Sequence, residues 1–303
     1  MTPIGAETER DFGELVGPHR RELLVHCYRM LGSLTDAEDV LQETLLAAWR
    51  GFDGFEGRSS LRTWLYRIAT TRCLNARRDA TRRVPVVTPP FDPPPASRHG
   101  DIPWLQPFPD DRLDPSASFE QREATELAFI IALQRLAPRQ AAALILKDVL
   151  AYDTTEVADL LDTTPHAVKG LLQRARTAVP QPSSHPTPDP ALAARFAAAF
   201  TERDMPTLLG LLTDDAWLAM PPAPHEYHGR TAIAEFLQVS PSWLRPLTLM
   251  PARANNQPAY ACYLDNTPAG LLVLTPRADR IAGVTRFHDN NALVRAGLLQ
   301  PEP

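Results

Sequence analysis

Residues that can hold phosphate and read bases dominate the chemistry this chain offers. In Pro165–Arg176 the residues His166, Lys169, Gln173, Arg174 and Arg176 share one helical face, and Val168, Leu171, Leu172 and Ala175 recur on the other. Upstream, Val157, Ala158, Leu160 and Leu161 fit one face of a preceding helix. Asp162-Thr163-Thr164 reads as a short polar turn, with Thr164 as N-cap and Pro165 at the first helical position, where a missing N–H costs nothing. The pair reads as a helix-turn-helix. Its second helix is apolar on one side and polar-to-basic on the other, as a major-groove reader must be. An ordinary helical hairpin with a solvated face has the same pattern.

A second basic region lies upstream. Arg58, Arg62, Arg67, Arg72, Arg77, Arg78, Arg82 and Arg83 stand against one acid, Asp79. The loop Phe52–Ser60 mixes aromatics, glycines and hydroxyls, and the helix after it presents Trp64, Tyr66, Thr70, Thr71 and Asn75 among the arginines. Aromatics beside guanidiniums suit single-stranded nucleic acid, where stacking contributes ~1–3 kcal/mol per base. A Gly/Ser loop can pocket an unstacked base. Trp64 and Ile68, at i and i+4, fit a plain core equally well. Asp39 and Glu43, also i and i+4, are like charges that mildly destabilise a helix. A basic partner opposite would explain them; a solvated face is the other reading.

Composition bounds these readings. The chain has 303 residues and a net charge of −5, which argues against indiscriminate coating of DNA. An acidic stretch followed by a basic one implies two different partners. The three cysteines, Cys27, Cys73 and Cys262, are far apart and form no zinc array or disulfide framework. We expect no metal, no cofactor and reduced thiols in a cytoplasmic protein. The acidic N-terminus lacks a secretory signal, and no apolar run approaches ~18 residues, so no membrane span is expected.

The elements that must position these residues are marked off by clustered prolines. A Pro-rich linker is expected over 84–117, since such a stretch is neither helix nor central strand. Within it Trp104, Leu105 and Phe108 are large apolar residues that a free spacer would not carry, so they are expected to dock. A second linker spans 180–190. Residues 8–83 read as all helix: Arg21–Leu31 is amphipathic, Thr35 opens a capping box with Glu38, and a third helix runs from Leu61 to Ala80. Residues 118–179 read as helical, ending in the helix-turn-helix. Residues 191–303 read as α+β. Helices are expected at Ala191–Arg203, Thr207–Leu212 and Thr231–Leu237, with strands near 215–220, 246–254, 259–265, 270–275 and 280–287 forming a curved antiparallel sheet. His225 and His228 fall in the Pro-rich segment PPAPHEYHG, read as a surface loop.

The stretches HCYRMLGSLTDAEDVLQETLLAAWRGFDGF, FEGRSSLRTWLYRIATTRCLNARR and LQRLAPRQAAALILKDVLAYDTTEVADLLDTTPHAVKGLLQRAR resemble the two domains of an extracytoplasmic-function sigma factor, a small sigma-70-type initiation subunit of bacterial RNA polymerase. The resemblance covers about residues 10–178. It implies that Asp39, Gln42, Glu43 and Trp49 meet core RNA polymerase. It implies that Phe55, Arg58, Ser59, Ser60, Trp64, Tyr66 and Asn75 take the non-template strand of the −10 promoter element, and that Arg72, Arg77 and Arg78 hold promoter phosphate. His166, Lys169, Gln173, Arg174 and Arg176 would read the −35 duplex. The chain departs from the pattern at Gly170 and Leu171, where small polar or basic residues are commoner; this removes one potential base contact.

Residues 191–303 resemble a SnoaL-like cone, carried by FAAAFTERDMPTLLGLLTDDAWLAMPPAPHEYHGRTAIAEFL and LLVLTPRADRIAGVTRFHD. The resemblance implies a multidomain protein, two all-α sigma domains followed by a tail that modulates them and is able to take a small-molecule ligand; the apolar residues Trp104–Phe108, stranded in the Pro-rich segment, are expected to be where that tail contacts the linker. His225, Tyr227, His228, His288, Asp265 and Asp289 can line such a cone, but catalysis needs two titratable groups meeting in a dry pocket. Fold alone does not settle function. Two other readings are an isomerase, cyclase or ligand sensor with a DNA-binding appendage, and a one-component repressor; the acidic motif argues against the repressor.

Overall fold

The computed structural model describes residues 12–79, 91–113, 117–179 and 190–300. The N-terminal residues read for a secretory signal, the start of the expected linker (84–90) and nearly all of the second linker lie outside them. The chain forms two compact units. Among the described residues, one gathers 12–79, 112–113, 117–124 and 132–179; the other gathers 91–111, 125–131 and 190–300. The Pro-rich segment is therefore no free spacer, because 91–111 folds with the C-terminal unit.

The first unit is helical: α1 (Arg20–Leu31), α2 (Leu34–Gly51), α3 (Leu61–Asp79), α4 (Phe119–Glu123), then the end of α5 (Leu127–Arg135), α6 (Pro138–Leu144), α7 (Thr154–Leu160) and α8 (Pro165–Ala178). Helix α1 stops at Gly32, whose φ of 70° is left-handed. A Cβ there would also lie 2.9 Å from the Gln134 side chain. Helix α2 starts at Ser33, whose hydroxyl accepts from the Asp36 N–H, and not at the expected Thr35. Thr35 lies inside the helix because Gly32 ends α1 just upstream, and Leu34 is already packed at the first helical position. Further on, Thr164 caps α8 through the Ala167 N–H, with Pro165 first, as expected. Asp153 and Glu156 form a capping box on α7.

Long-range polar ties close this unit. The Arg29 guanidinium, 4% exposed, donates to the carbonyls of Ala124 and Gln121. Gln134 Nε2 donates to the Arg29 and Met30 carbonyls at the end of α1. Buried His26 shares a 2.9 Å hydrogen bond with Thr70, and burial, then Arg29 and Arg62, lower its pKa to about 3. The ring is neutral when folded and protonates on unfolding below about pH 6.5. Stability from this group is full above pH 6.5 and is lost as pH falls toward 3. Unfolding free energies from urea titrations at pH 7 and 5 should differ by about 2 kcal/mol on its account, a difference that His26→Gln removes.

The second unit packs α9 (Pro190–Glu202), α10 (Met205–Leu211), α11 (Arg230–Val239) and the short α12 (Pro241–Leu244) against a seven-stranded sheet, with α13 (Asn290–Arg295) near its end. The strands are β1 (Arg98–His99), β2 (Leu212–Met220), β3 (Ala223–His228), β4 (Leu247–Ala254), β5 (Gln257–Leu264), β6 (Thr267–Arg277) and β7 (Arg280–Phe287), in the order β1-β3-β2-β7-β6-β5-β4. All pairs are antiparallel except β2–β7. In that parallel pair Trp217 lies opposite Gly283, where a Cβ would fall 2.3 Å from the indole. The segment of His225 and His228 is strand β3, not the surface loop expected from its prolines. It pairs with β2 on one side and, through His225↔His99 and Glu226↔Arg98, with β1 of the Pro-rich segment on the other. The core lies between helices and sheet, built on Phe196, Phe200, Leu208, Ile233, Phe236 and Leu272.

Candidate nucleic-acid interface

The amphipathic pattern of α2 sends Ala37, Val40, Leu41, Thr44, Leu45 and Ala48 inward. It leaves Asp39, Gln42, Glu43 and Leu46 exposed at i, i+3, i+4 and i+7, a single stripe. Leu46, 55% exposed, was not singled out in the sequence. Its position on the stripe is the signal that could have found it. Glu43 meets Arg72 at 3.3 Å, an exposed pair of small energetic weight. Trp49 is half-buried, edge-on to Phe12 with ring centroids 5.3 Å apart.

The loop before α3 brings aromatics together. Phe55 and Trp64 lie with ring centroids 5.0 Å apart, both half-buried. Arg58 is 86% exposed beside Glu56, and Ser59 is exposed. Ser60 also caps α3, accepting from the Thr63 N–H at 3.1 Å. Asn75 and Arg78 lie on the exposed side of α3.

Two residues grouped with these in the sequence lie elsewhere. Tyr66 is fully buried, edge-on to Tyr152 and beneath the Arg62 guanidinium, and its hydroxyl donates to Glu22. Burial, reinforced by Glu22, holds that hydroxyl protonated. The ring offers no stacking surface in this arrangement. Arg77 donates to the carbonyls of Leu133, Gln134 and Leu136, capping the end of α5, so its guanidinium is committed away from phosphate. Both look like nucleic-acid ligands by type alone; their hydrogen-bond partners lie far away along the chain.

On α8, His166, Lys169, Gln173 and Arg174 are all exposed on the face opposite buried Val168, Leu172 and Ala175. Gly170 leaves this face open, with only the Arg174 guanidinium near a notional Cβ. Arg176 is held by Asp148 through two contacts of 2.9 and 2.6 Å. It can buttress the helix but is not a free reader.

An open cleft of about 720 Å³ runs between the aromatic loop and the start of the helix-turn-helix. Arg58, Trp64 and Arg67 line one wall and Glu156, Asp159 and Asp162 the other. The second wall repels phosphate that the first attracts. Removing two exposed charges roughly 10 Å from a strand lowers repulsion by a few tenths of a kcal/mol each in water. The double variant Asp159→Asn/Asp162→Asn should therefore bind a single-stranded oligonucleotide two- to five-fold tighter at low salt. Fluorescence anisotropy at two salt concentrations checks this. Asn suits residue 162, whose φ is 49°.

In the second unit the apolar residues of the Pro-rich segment are packed. Leu105 is 4% and Phe108 0% exposed, and Trp104 is half-buried. The Phe108 N–H donates to Asn255 Oδ1 and its carbonyl accepts the Asn255 N–H, both at 2.8 Å. Asn255 Nδ2 donates to the Thr125 carbonyl, and Gln257 Oε1 accepts the Leu127 N–H. Asp110 adds an ion pair to Arg253 and accepts the Asn256 N–H. The β4–β5 turn is thus a polar clamp on 108–110 and 125–127. Sequence reading missed Asn255 and Gln257.

Two family models match the chain. The sigma-70 region 2 family matches residues 15–83, and sigma-70 region 4 matches residues 127–179. The chain is similar to the ECF RNA polymerase sigma factor SigG of Mycobacterium tuberculosis, at 43% identity over 96% of this chain and 85% of the relative. It is similar to SigJ of the same species at 33% identity over 65% of this chain and 60% of the relative. The crystal structure of Mycobacterium tuberculosis SigJ superposes with a TM-score of 0.62 at 22% identity, over 91% of this chain and 95% of that one, a likeness of fold.

Proposed function

We infer, for a chain that belongs to the extracytoplasmic-function sigma factors of RNA polymerase, that its three exposed surfaces divide the work of promoter-specific initiation. The α2 stripe of Asp39, Gln42, Glu43 and Leu46 docks on core polymerase. Phe55, Arg58, Ser59 and Trp64, with Arg72, Asn75 and Arg78 along α3, take the melted −10 strand. His166, Lys169, Gln173 and Arg174 read the −35 duplex from the major groove, which phosphate contacts position and base contacts specify. The observation that carries this reading is that the α2 stripe and the polar face of α8 are exposed while the opposite faces of those helices are buried.

The fused C-terminal unit tunes the others, and its clamp on residues 108–110 and 125–127 supports that role. The tail is not read as an enzyme. His225 and His228 lie on β3, Asp265 pairs with Arg245, and Asp289 caps α13. Of these polar groups His288 lines the tail's cavity. Among the described residues no helix is long and apolar enough to cross a membrane. The protein is proposed to act in the cytoplasm with its polymerase.

Run-off transcription tests the proposal, using purified core polymerase, genomic DNA fragments and the full-length chain. Discrete transcripts that core polymerase alone does not make are expected. Absence of both transcripts and core binding would overturn it. A truncation near residue 183 is a poor substitute, because it strips the cover from Leu105 and Phe108.

A further inference from the structure

The second unit encloses an apolar cavity of about 50 Å³, walled by Phe196, Leu208, Leu218, Ile233 and Leu272. Arg286 lines it as well, although the residue is only 8% exposed. Its Nη2 donates to the Ala269 carbonyl at 3.0 Å, while its buried Nε has no partner. Among the described residues no carboxylate pairs with this guanidinium. The neighbouring Cys262 thiol supplies no counter-charge, since burial raises its pKa. A guanidinium held among phenylalanines and leucines without an anion is an incomplete ion pair, strongly unfavourable until one arrives.

We propose that this cavity binds a small monocarboxylic acid, its carboxylate on Arg286 and its apolar body against Phe196, Ile233 and Leu272. The volume sets the size. One water needs about 10–15 Å³ measured this way, so the space takes a handful of heavy atoms, a single ring or a short alkyl chain. A fused-ring body is too large. His288 also lines the site, part of its surface open. His288 is an exposed residue at the edge of the site, and desolvation and then Arg286 lower its pKa. Phe91, from the Pro-rich segment, forms part of the wall, with its ring 5.8 Å from that of Phe236. An occupant would therefore touch the segment whose later residues the Asn255 turn clamps. That step from binding to promoter output rests on the regulatory reading above; the binding itself does not.

Isothermal titration calorimetry on the full-length chain tests the site, with benzoate and hexanoate compared against benzyl alcohol and hexanol. The acids should bind at least tenfold more tightly than the alcohols. Arg286→Gln should erase that preference. Ile233→Phe, which fills the space and leaves the charge in place, should weaken the acids at least tenfold, with circular dichroism reporting that the fold is intact. No acid binding to the native chain, equal affinity for acids and alcohols, or undiminished acid binding in a folded Ile233→Phe variant would each overturn the proposal. Acid binding with no effect on run-off transcription would leave the site standing and remove only its link to regulation.

Discussion

Replacing Asp39 and Glu43 together by lysine should reduce run-off transcription to background and weaken binding to core polymerase by at least about 100-fold. Both carboxylates are exposed, and both lie on the α2 stripe opposite the buried Val40, Leu41, Thr44 and Leu45. Within the chain they stabilise little: Glu43 pairs with Arg72, and such an exposed pair contributes ~0–1 kcal/mol. Circular dichroism and the urea midpoint should accordingly change little. Against a basic partner the effect is different in scale. Removing one member of a desolvated interfacial charge pair costs roughly 2–5 kcal/mol, and reversing two charges adds repulsion to that loss. Leu46→Asp should act in the same direction by placing a charge within the docked face. Glu43→Gln, which keeps the size and removes one charge, should be milder. Normal core binding by the Asp39→Lys/Glu43→Lys protein would show that the stripe is merely a solvated face.

The helix-turn-helix could be read from sequence because its determinants are local: a cap at Thr164, a proline at the next position, and apolar residues at helical spacing. The start of α2 could not, because Ser33 with Asp36 and Thr35 with Glu38 offer two overlapping caps. The neighbouring left-handed Gly32 and the burial of Leu34 decide between them. Strand β3 was hidden by its prolines, and its outer partner is the two-residue β1, more than 120 residues earlier in the chain on the numbering of the paired residues. The basic helix α3 was legible as a nucleic-acid face only in part. Composition cannot show that Arg77 is spent on the carbonyls of α5 or that Tyr66 is covered by Arg62 and Tyr152. The turn at Asn255-Asn256 did carry a signal: consecutive asparagines between two apolar runs mark a tight hairpin with both residues at positive φ, here 57° and 58°. What no local pattern conveys is that the first asparagine also reaches back to Phe108 and Thr125.

Asn255→Ala should lower the stability of the second unit by about 4 kcal/mol. The residue is fully buried and its amide is used at both ends, accepting from the Phe108 N–H and donating to the Thr125 carbonyl. Alanine leaves both buried backbone groups without that partner, at ~1–3 kcal/mol each, and lacks the short polar side chain that eases the left-handed conformation, which adds ~1 kcal/mol. For a unit of this size the loss corresponds to a fall in Tm on the order of 10 °C. Asn256→Ala separates the causes. That position shares the backbone conformation, but what it contributes to the clamp is its main-chain N–H to Asp110, which alanine retains, so its effect should stay near 1 kcal/mol. Asn255→Gly relieves the backbone strain and loses the same two hydrogen bonds, so it should fall between the two alanine variants. Limited proteolysis should then cut Asn255→Gly within residues 91–113 under conditions that leave the native chain whole. The clamp also ties stability to function. Assayed well below its Tm, Asn255→Gly should still bind core polymerase through α2, yet give a different yield of promoter-specific transcripts. Unchanged yields would separate the grip of the tail on the Pro-rich segment from the control of initiation, leaving the clamp a device of folding alone.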